Sequence, residues 1–438
     1  MIELAIVVSS VTMLGFLLLG VPVAFSLGIA GVLGFWIGYG SEMMWGYLAL
    51  VPYRQAAHYT LGVLPLFILM GRFAFEGKFS KALYDLGYSM FGRYVRGGLA
   101  IGTISGQAVF AACTGSSSAT AAAFAPIAHP EMVRYGYDKR LSLGTLAAGG
   151  TLGILIPPSV TFIIYAMLTG NSISALFIAG VFPGIMLAAL YASVVWVWAK
   201  INPKVAPLRP EGETSNEQSI SFISALKGTW AILVTFIVVL GGIWGGLFTA
   251  YEAGAIGAAC TLILAIIYRM KYTGFTKAIV DSMETTAMVF MLVTCAFIFG
   301  YFFSLAKVPQ AFVELVKTLG LGKWGLLAII TIIYFILGCV MDQIAIQCLT
   351  IPITYPMMTA VGWDPIWYGV YVVLTTEIGL MTPPLGLNCF VLSGVTGEPL
   401  SRVFAGVWGF IGVALLAILI ISLFPQIALF LPMTMKGQ

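Results

Sequence analysis

Shifted against itself by 226 positions, the sequence meets its own backbone punctuation. Pro126 falls on Pro352, Pro130 on Pro356, Met132 on Met358, Gly136 on Gly362, Asp138 on Asp364 and Gly153 on Gly379, and Pro157-Pro158 falls on Pro383-Pro384, without a gap. Most of these residues are Pro or Gly, which fix or free the backbone dihedrals. What recurs is therefore a chain trace, not an apolar bias. One architecture is built twice.

Its surroundings follow from how little charge the chain carries. Charged residues are 9% and hydrophobic residues 60%, with a mean hydropathy of +1.01. A soluble domain carries about 25% charged residues to cover its surface, so lipid must cover this one. The first repeat, 1–200, offers apolar segments near 3–20, 22–40 and 59–76, an amphipathic stretch at 77–97, a Gly/Ser-interrupted segment at 99–128, a Gly/Pro-broken helix at 141–168 and a continuous helix at 175–199. The second, 229–438, repeats this at 229–247, 253–268, 276–304, 305–323 (amphipathic), 324–355, 366–394 and 403–424. The linker between them, 201–228, is polar. Met1-Ile2-Glu3-Leu4 lacks a basic n-region, so the first segment reads as a retained helix and not as a signal peptide. The six cysteines form no CxxC pair and read as small buried hydrophobes. A net charge of +4 spread over loops gives no basic patch for nucleic acid.

The segment 99–128 has no central loop that could reach water, and it breaks at Cys113-Thr114-Gly115-Ser116-Ser117-Ser118. Such a segment can turn back as a re-entrant hairpin where protein or a cavity buries its tip. Arg93 and Arg96 precede it, and Arg134, Lys139 and Arg140 follow it, so both its ends are cytoplasmic. Five crossing helices, one of them broken, and one hairpin per half make the second half start on the opposite side. The fold class is thus an all-α polytopic membrane protein of two inverted-topology repeats, with a periplasmic N-terminus. The charges agree: of the 21 Lys and Arg, only Arg54, Lys307, Lys317, Lys323 and Lys436 fall in outer loops. The amphipathic stretches read as interfacial helices bracing the hairpins, with Tyr84, Tyr88, Tyr94 and Trp324 at headgroup depth.

Inverted repeats with discontinuous helices at matched positions point to a secondary-transport site. A Pro-Pro pair removes two N–H donors and pushes the preceding residue out of the α region. Carbonyls freed upstream suit a hard cation such as Na⁺, and the helix resuming downstream presents N–H groups to an anion. One tip and one break per half give two cation sites with the substrate between them. Candidates for substrate contact are Ser117, Ser118, Pro158, Asp342, Pro384 and Asn388. Alternatives stay open: Asp342 is a ligand or caps the hairpin turn, Ser117 and Ser118 are ligands or small packing residues, and Glu377 is functional or packs against Arg or water. No GxxxxGK[ST] phosphate loop, HExxH or paired intramembrane aspartates appear, and His58 and His129 lie at segment ends, so no pump or protease is expected. The chain is not expected to be an enzyme or to hold a cofactor.

At Gly20-Val21-Pro22-Val23-Ala24, Leu64-Pro65-Leu66-Phe67, Gly115-Ser116-Ser117-Ser118-Ala119, Gly153-x-x-Ile156-Pro157-Pro158-Ser159, Asp342-x-x-Ala345, Gly362-x-Asp364-Pro365 and Gly379-x-x-Thr382-Pro383-Pro384-x-Gly386, the chain resembles the large membrane subunit of a tripartite ATP-independent periplasmic (TRAP) transporter. The resemblance spans essentially the whole length. It implies a sodium-driven, elevator-type importer of the ion-transporter superfamily in the bacterial inner membrane. It also implies a small four-helix membrane subunit, a periplasmic substrate-binding protein, and an organic-acid substrate such as a C4-dicarboxylate or sialic acid. Carried over by position, one sodium site would use Ser116, Gly153 and Ile156, and the other Gly338, Gly379 and Thr382. The alternative is a stand-alone Na⁺- or H⁺-coupled carboxylate carrier of the same superfamily.

Overall fold

The computed structural model describes residues 1–92, 95–207, 222–318, 320, 322–384 and 386–435, the side chains of 315–317 excepted. Arg93, Tyr94, Arg209, Lys436, the side chain of Lys317 and half of the polar linker, 208–221, lie outside the described residues. All regular structure among the described residues is α-helical. In chain order the helices are α1 (Ile2–Leu18), α2 (Val23–Tyr39), α3 (Ser41–Ala56), α4 (Tyr59–Glu76), α5 (Phe79–Phe91), α6 (Gly98–Thr114), α7 (Ser117–Arg134), α8 (Lys139–Leu155), α9 (Val160–Thr169) and α10 (Ile173–Ile201). They continue as α11 (Phe222–Trp244), α12 (Ala250–Ile267), α13 (Tyr272–Leu305), α14 (Val308–Thr318), α15 (Lys323–Gly338), α16 (Gln343–Ala360), α17 (Pro365–Leu380), α18 (Leu387–Thr396), α19 (Leu400–Leu423) and α20 (Gln426–Met433).

Six of these, α4, α10, α11, α12, α13 and α19, are long and apolar enough to cross a membrane, and α8 with α9, bent by 41°, makes a seventh. Helices α1 and α2 are apolar but stop at 17 residues each. Large apolar side chains such as Leu4, Ile237, Ile263 and Leu419 are exposed on the outer helices, as lipid contact requires.

Local chemistry explains where the helices stop. α6 ends on Gly115, whose φ of 58° is left-handed and open to glycine at little cost. α7 starts at once because the Ser116 side chain accepts a hydrogen bond from Ala119 N at 3.4 Å. α8 ends at Ile156, extended as a residue before proline must be, and α9 resumes only after Pro157-Pro158-Ser159. α17 ends differently, two residues ahead of Pro383, on Met381 with φ −110° and ψ 2°, and Gly386 is left-handed before α18. Both Pro-Pro bonds are cis.

The architecture has an outer and an inner part. Outside, α2 packs on α1 and α13, and α4 packs on α12 and α13. Inside, α8 and α17 are buried on every face, from Leu141 through Met167 and from Trp367 through Thr382, which is what a helix apolar all round requires. Each resumed helix leans on the hairpin of the other half: α9 on α16, and α18 on α7.

Two readings of the sequence need correction. A helix, α3, fills 41–56, where no segment was expected; Pro52, Arg54 and Gln55 interrupt its apolar run. The second half has one 34-residue helix, α13, where the first half has α3 and α4. Tyr84 is 5% exposed, its ring packed against protein. In addition, α11 begins at Phe222, inside the stretch read as linker, because Ala225 and Thr229 give it a buried side.

Candidate functional site

Each half brings a hairpin against a break, through glycine. A Cβ on Gly153 would overlap Ser116 O and lie 2.7 Å from Thr120 Oγ1, so α8 touches the first tip backbone to backbone. A Cβ on Gly115 would lie 2.9 Å from Pro158 O, which puts the tip against the first break as well. In the second half Gly338 and Gly379 face one another: a Cβ on Gly338 would lie 2.9 Å from Gly379 Cα, and one on Gly379 would overlap the backbone of Gly338. Side chains brace both contacts. Gln107 Nε2 donates to Leu146 O at 3.1 Å, and Gln343 Nε2 donates to Val373 O at 3.0 Å and to Thr376 Oγ1 at 2.8 Å.

The structure brings some of the predicted residues together and leaves others apart. Ser116 meets Gly153, while the Ile156 side chain turns toward Gly184 on α10. Gly338 and Gly379 meet, and Thr382 is buried beside them, its N donating to Gly379 O at 3.0 Å and its hydroxyl to Ile378 O at 2.6 Å. Asn388 Nδ2 donates to Ser117 Oγ at 2.6 Å, joining α18 to the first tip. Ser118 is half-buried in the first turn of α7, and Pro158 is buried whereas Pro384 is exposed. The Asp342 carboxylate caps α16, accepting from Ile344 N at 3.0 Å and Ala345 N at 3.1 Å. Asp342 therefore does what Ser116 does at the matching position of the other half.

Sequence reasoning left Glu377 undecided. It is 1% exposed, the Ser117 hydroxyl faces its carboxyl, and neither carboxyl oxygen has a hydrogen-bond partner of regular geometry. Asn388 Oδ1 is likewise buried and unpaired. Glu377, Ser117 and Asn388 thus form one polar centre inside an apolar bundle. An acid in the middle of an apolar run was the available signal. A separate cavity of about 1080 Å³ between α2, α3, α4 and α13 is walled by apolar residues such as Leu33, Leu69 and Phe290. Among the described residues no tip or break residue lines it.

Residues 10–427 match the family described as "Tripartite ATP-independent periplasmic transporter, DctM component". The chain belongs to this family. It is 36% identical over 387 residues to the C4-dicarboxylate TRAP transporter large permease protein of Pseudomonas aeruginosa, covering 88% of this chain and 89% of that one. It is 34% identical to the isethionate TRAP transporter permease protein of Oleidesulfovibrio alaskensis, covering 95% of this chain and 64% of the longer relative. It is 31% identical to the 2,3-diketo-L-gulonate TRAP transporter large permease protein of Escherichia coli, covering 96% and 97%. The YdaH transporter of Alcanivorax borkumensis shares the fold, with a TM-score of 0.59 at 12% identity over 90% of this chain and 89% of that one. This TRAP large permease is accordingly a multi-pass membrane protein of a transporter family. The family also implies a small membrane subunit and a periplasmic binding protein as partners.

Proposed function

We propose that this TRAP permease subunit imports an organic acid across the bacterial inner membrane, driven by sodium, with cargo delivered by a periplasmic binding protein. A small four-helix subunit completes the membrane complex. The observation that carries the reading is the matched pair of tip-and-break contacts, Ser116 on Gly153 and Gly338 on Gly379. In it, Ser116, Gly153 and Ile156 serve one sodium, and Gly338, Gly379 and Thr382 the other. Ser117, Ser118, Pro158, Asp342, Pro384 and Asn388 face the cargo. Relatives named for C4-dicarboxylate, isethionate and 2,3-diketo-L-gulonate share an anionic acid group as substrate chemistry.

Two inverted repeats and an elevator-type stroke belong to the same reading. Contacts between the halves support the inversion, because they join ends that it assigns to one side. On the cytoplasmic side Lys139 Nζ bonds Glu398 at 2.7 Å, and Arg72 bonds Asp281 at 3.2 Å. On the periplasmic side Asn171 Nδ2 donates to Tyr355 Oη at 3.2 Å. The N-terminus is periplasmic in this arrangement.

The test is uptake of labelled organic acids by proteoliposomes holding this chain and its small subunit, with and without the binding protein, under an inward Na⁺ gradient. Uptake that needs both, and is lost in Thr382→Ala and in Ser116→Ala, is the expected result. Uptake indifferent to the binding protein would instead mark a stand-alone carrier. Uptake driven by a pH gradient alone would sink the sodium sites.

A further inference from the structure

Glu377 occupies the last turn of α17, where the helix dipole already presents its negative end. Its carboxyl is enclosed, and among the described residues no Lys, Arg or His forms an ion pair with it. Its polar surroundings are Ser117 from α7, Asn388 on α18 linked through Ser117, and Tyr191 from α10, whose hydroxyl already bonds Thr151 Oγ1 at 3.0 Å. An ionised carboxylate buried without a partner costs many kcal/mol. The N-termini of α7 and α18 offset part of that, each with about half a positive charge. They do nothing for Asn388 Oδ1, a second buried acceptor left without a donor. A small dehydrated cation that takes oxygen ligands satisfies both at once, and a proton on the carboxyl is the rival that the experiment must separate from it.

The first half shows what the same position looks like without this demand. Position 377 corresponds to 151 under the repeat, and there Thr151 donates to Ala148 O at 2.6 Å and is met by Tyr191. It has no orphaned oxygen. The asymmetry lies in the side chains, within a shared backbone.

We propose that Glu377, Asn388 and Ser117 form a third monovalent-cation site, enclosed between the first hairpin tip and the second break. It deepens the sodium-driven reading, and the experiment is arranged so that either can fail alone.

The experiment is thermal unfolding of the purified complex of this chain with its small subunit, titrated with NaCl against choline chloride at constant ionic strength and pH. Glu377→Gln should melt above the parent protein in choline, because the lone buried charge is gone, and should need about tenfold more Na⁺ for half-maximal stabilisation. Identical behaviour of Glu377→Gln and the parent in both salts would show a neutral carboxyl holding no cation, and overturns the proposal. An equal drop in both salts, with an unchanged Na⁺ midpoint, marks a structural role and also overturns it. A Na⁺ response that survives Thr382→Ala and Ser116→Ala but shifts in Glu377→Gln keeps this site and removes the two carried over by resemblance; the opposite pattern removes this one. Should Glu377→Gln not fold, the Na⁺ midpoint of Asn388→Ala decides, and no shift there overturns the proposal.

Discussion

The first broken helix is sealed and the second is not. From Leu141 to Met167 every position is buried, whereas in the second half burial runs only to Thr382, and Pro384, Leu387 and Phe390 are exposed just beyond. Polar bookkeeping divides the same way. Around the first tip the hydroxyls are engaged: Thr114 and Thr120 lie 2.8 Å apart, and Thr120 also donates to Ser116 O at 2.8 Å. In the second half Gln343 Oε1, both polar atoms of Gln347, both oxygens of Glu377 and Asn388 Oδ1 are buried without partners, and in the first-half inner helices only Gln107 Oε1 and Thr145 Oγ1 are comparable among the described residues. Unsatisfied buried groups are costly and persist where they serve a function. One backbone thus supports two roles: a braced first half, and a second half that keeps oxygens in reserve.

The largest expected effect tests the backbone contact itself. Gly379→Ala drives a methyl into the Gly338 backbone, so about 3 kcal/mol of stability should be lost and uptake with it. Gly153→Ala should cost somewhat less, because its methyl overlaps a single backbone atom, Ser116 O, where that of Gly379 overlaps two. Gly412→Ala, with open space around it, should be neutral. Equal losses at Gly379 and Gly153 in thermal unfolding would break the comparison.

Next comes the link between the halves. Ser117→Ala leaves the buried Asn388 amide without its partner and should cost about 2 kcal/mol. In a double-mutant cycle with Asn388→Ala the two losses should be strongly non-additive; additive losses would mean that the contact does not join the halves. Smaller again is the cap. Asp342→Ala should cost about 1 kcal/mol, while Asp342→Asn, which still caps α16, should keep stability and change uptake. If Asp342→Asn keeps uptake as well, the carboxylate is a cap alone and does not face the cargo.

The smallest effect lies in the link between α18 and α19, where Glu398 meets Lys139 and Arg402. The Lys139 hydrogen bond, helped by Arg402, holds this carboxyl below its ordinary range. Its stabilisation is present above the ordinary carboxylate pKa and fades as pH falls through the lower folded value. Glu398→Gln should therefore cost less than about 1 kcal/mol at neutral pH, and the acid limb of the unfolding profile should flatten. An unchanged acid limb would remove this clamp from the account.

The sequence announced what depends on local backbone chemistry. Pro157-Pro158, Pro383-Pro384 and Gly115-Ser116 stop helices wherever they occur, because a missing N–H or a left-handed turn does so without help from the rest of the fold. It was silent where packing decides. Tyr84 sits on an amphipathic stretch, and only the fold shows that α5 turns that face inward against α6 and α11. α3 was hidden because Pro52, Arg54 and Gln55 spoil its apolar run, although Val51 and Gln55 are buried by tertiary contact. Asn388 and Ser117 could each be nominated from their place beside a break or a tip, but nothing in a linear pattern says that they touch. Glu377 gained its meaning only once it was seen to have no cationic partner among the described residues.

The interlock of each resumed helix with the opposite hairpin also sets a clock on biosynthesis. Ser117 is made 271 residues before the amide that completes its environment, and at ribosomal speeds that interval is roughly 15 to 50 s. During it α7 waits for α18, and for most of it α9 waits for α16. The newborn first half must therefore be sheltered, by lipid, by translocon or by a chaperone, until its counterpart emerges. Slow codons or a stall between the halves would lengthen that exposure without changing a single residue of the finished protein.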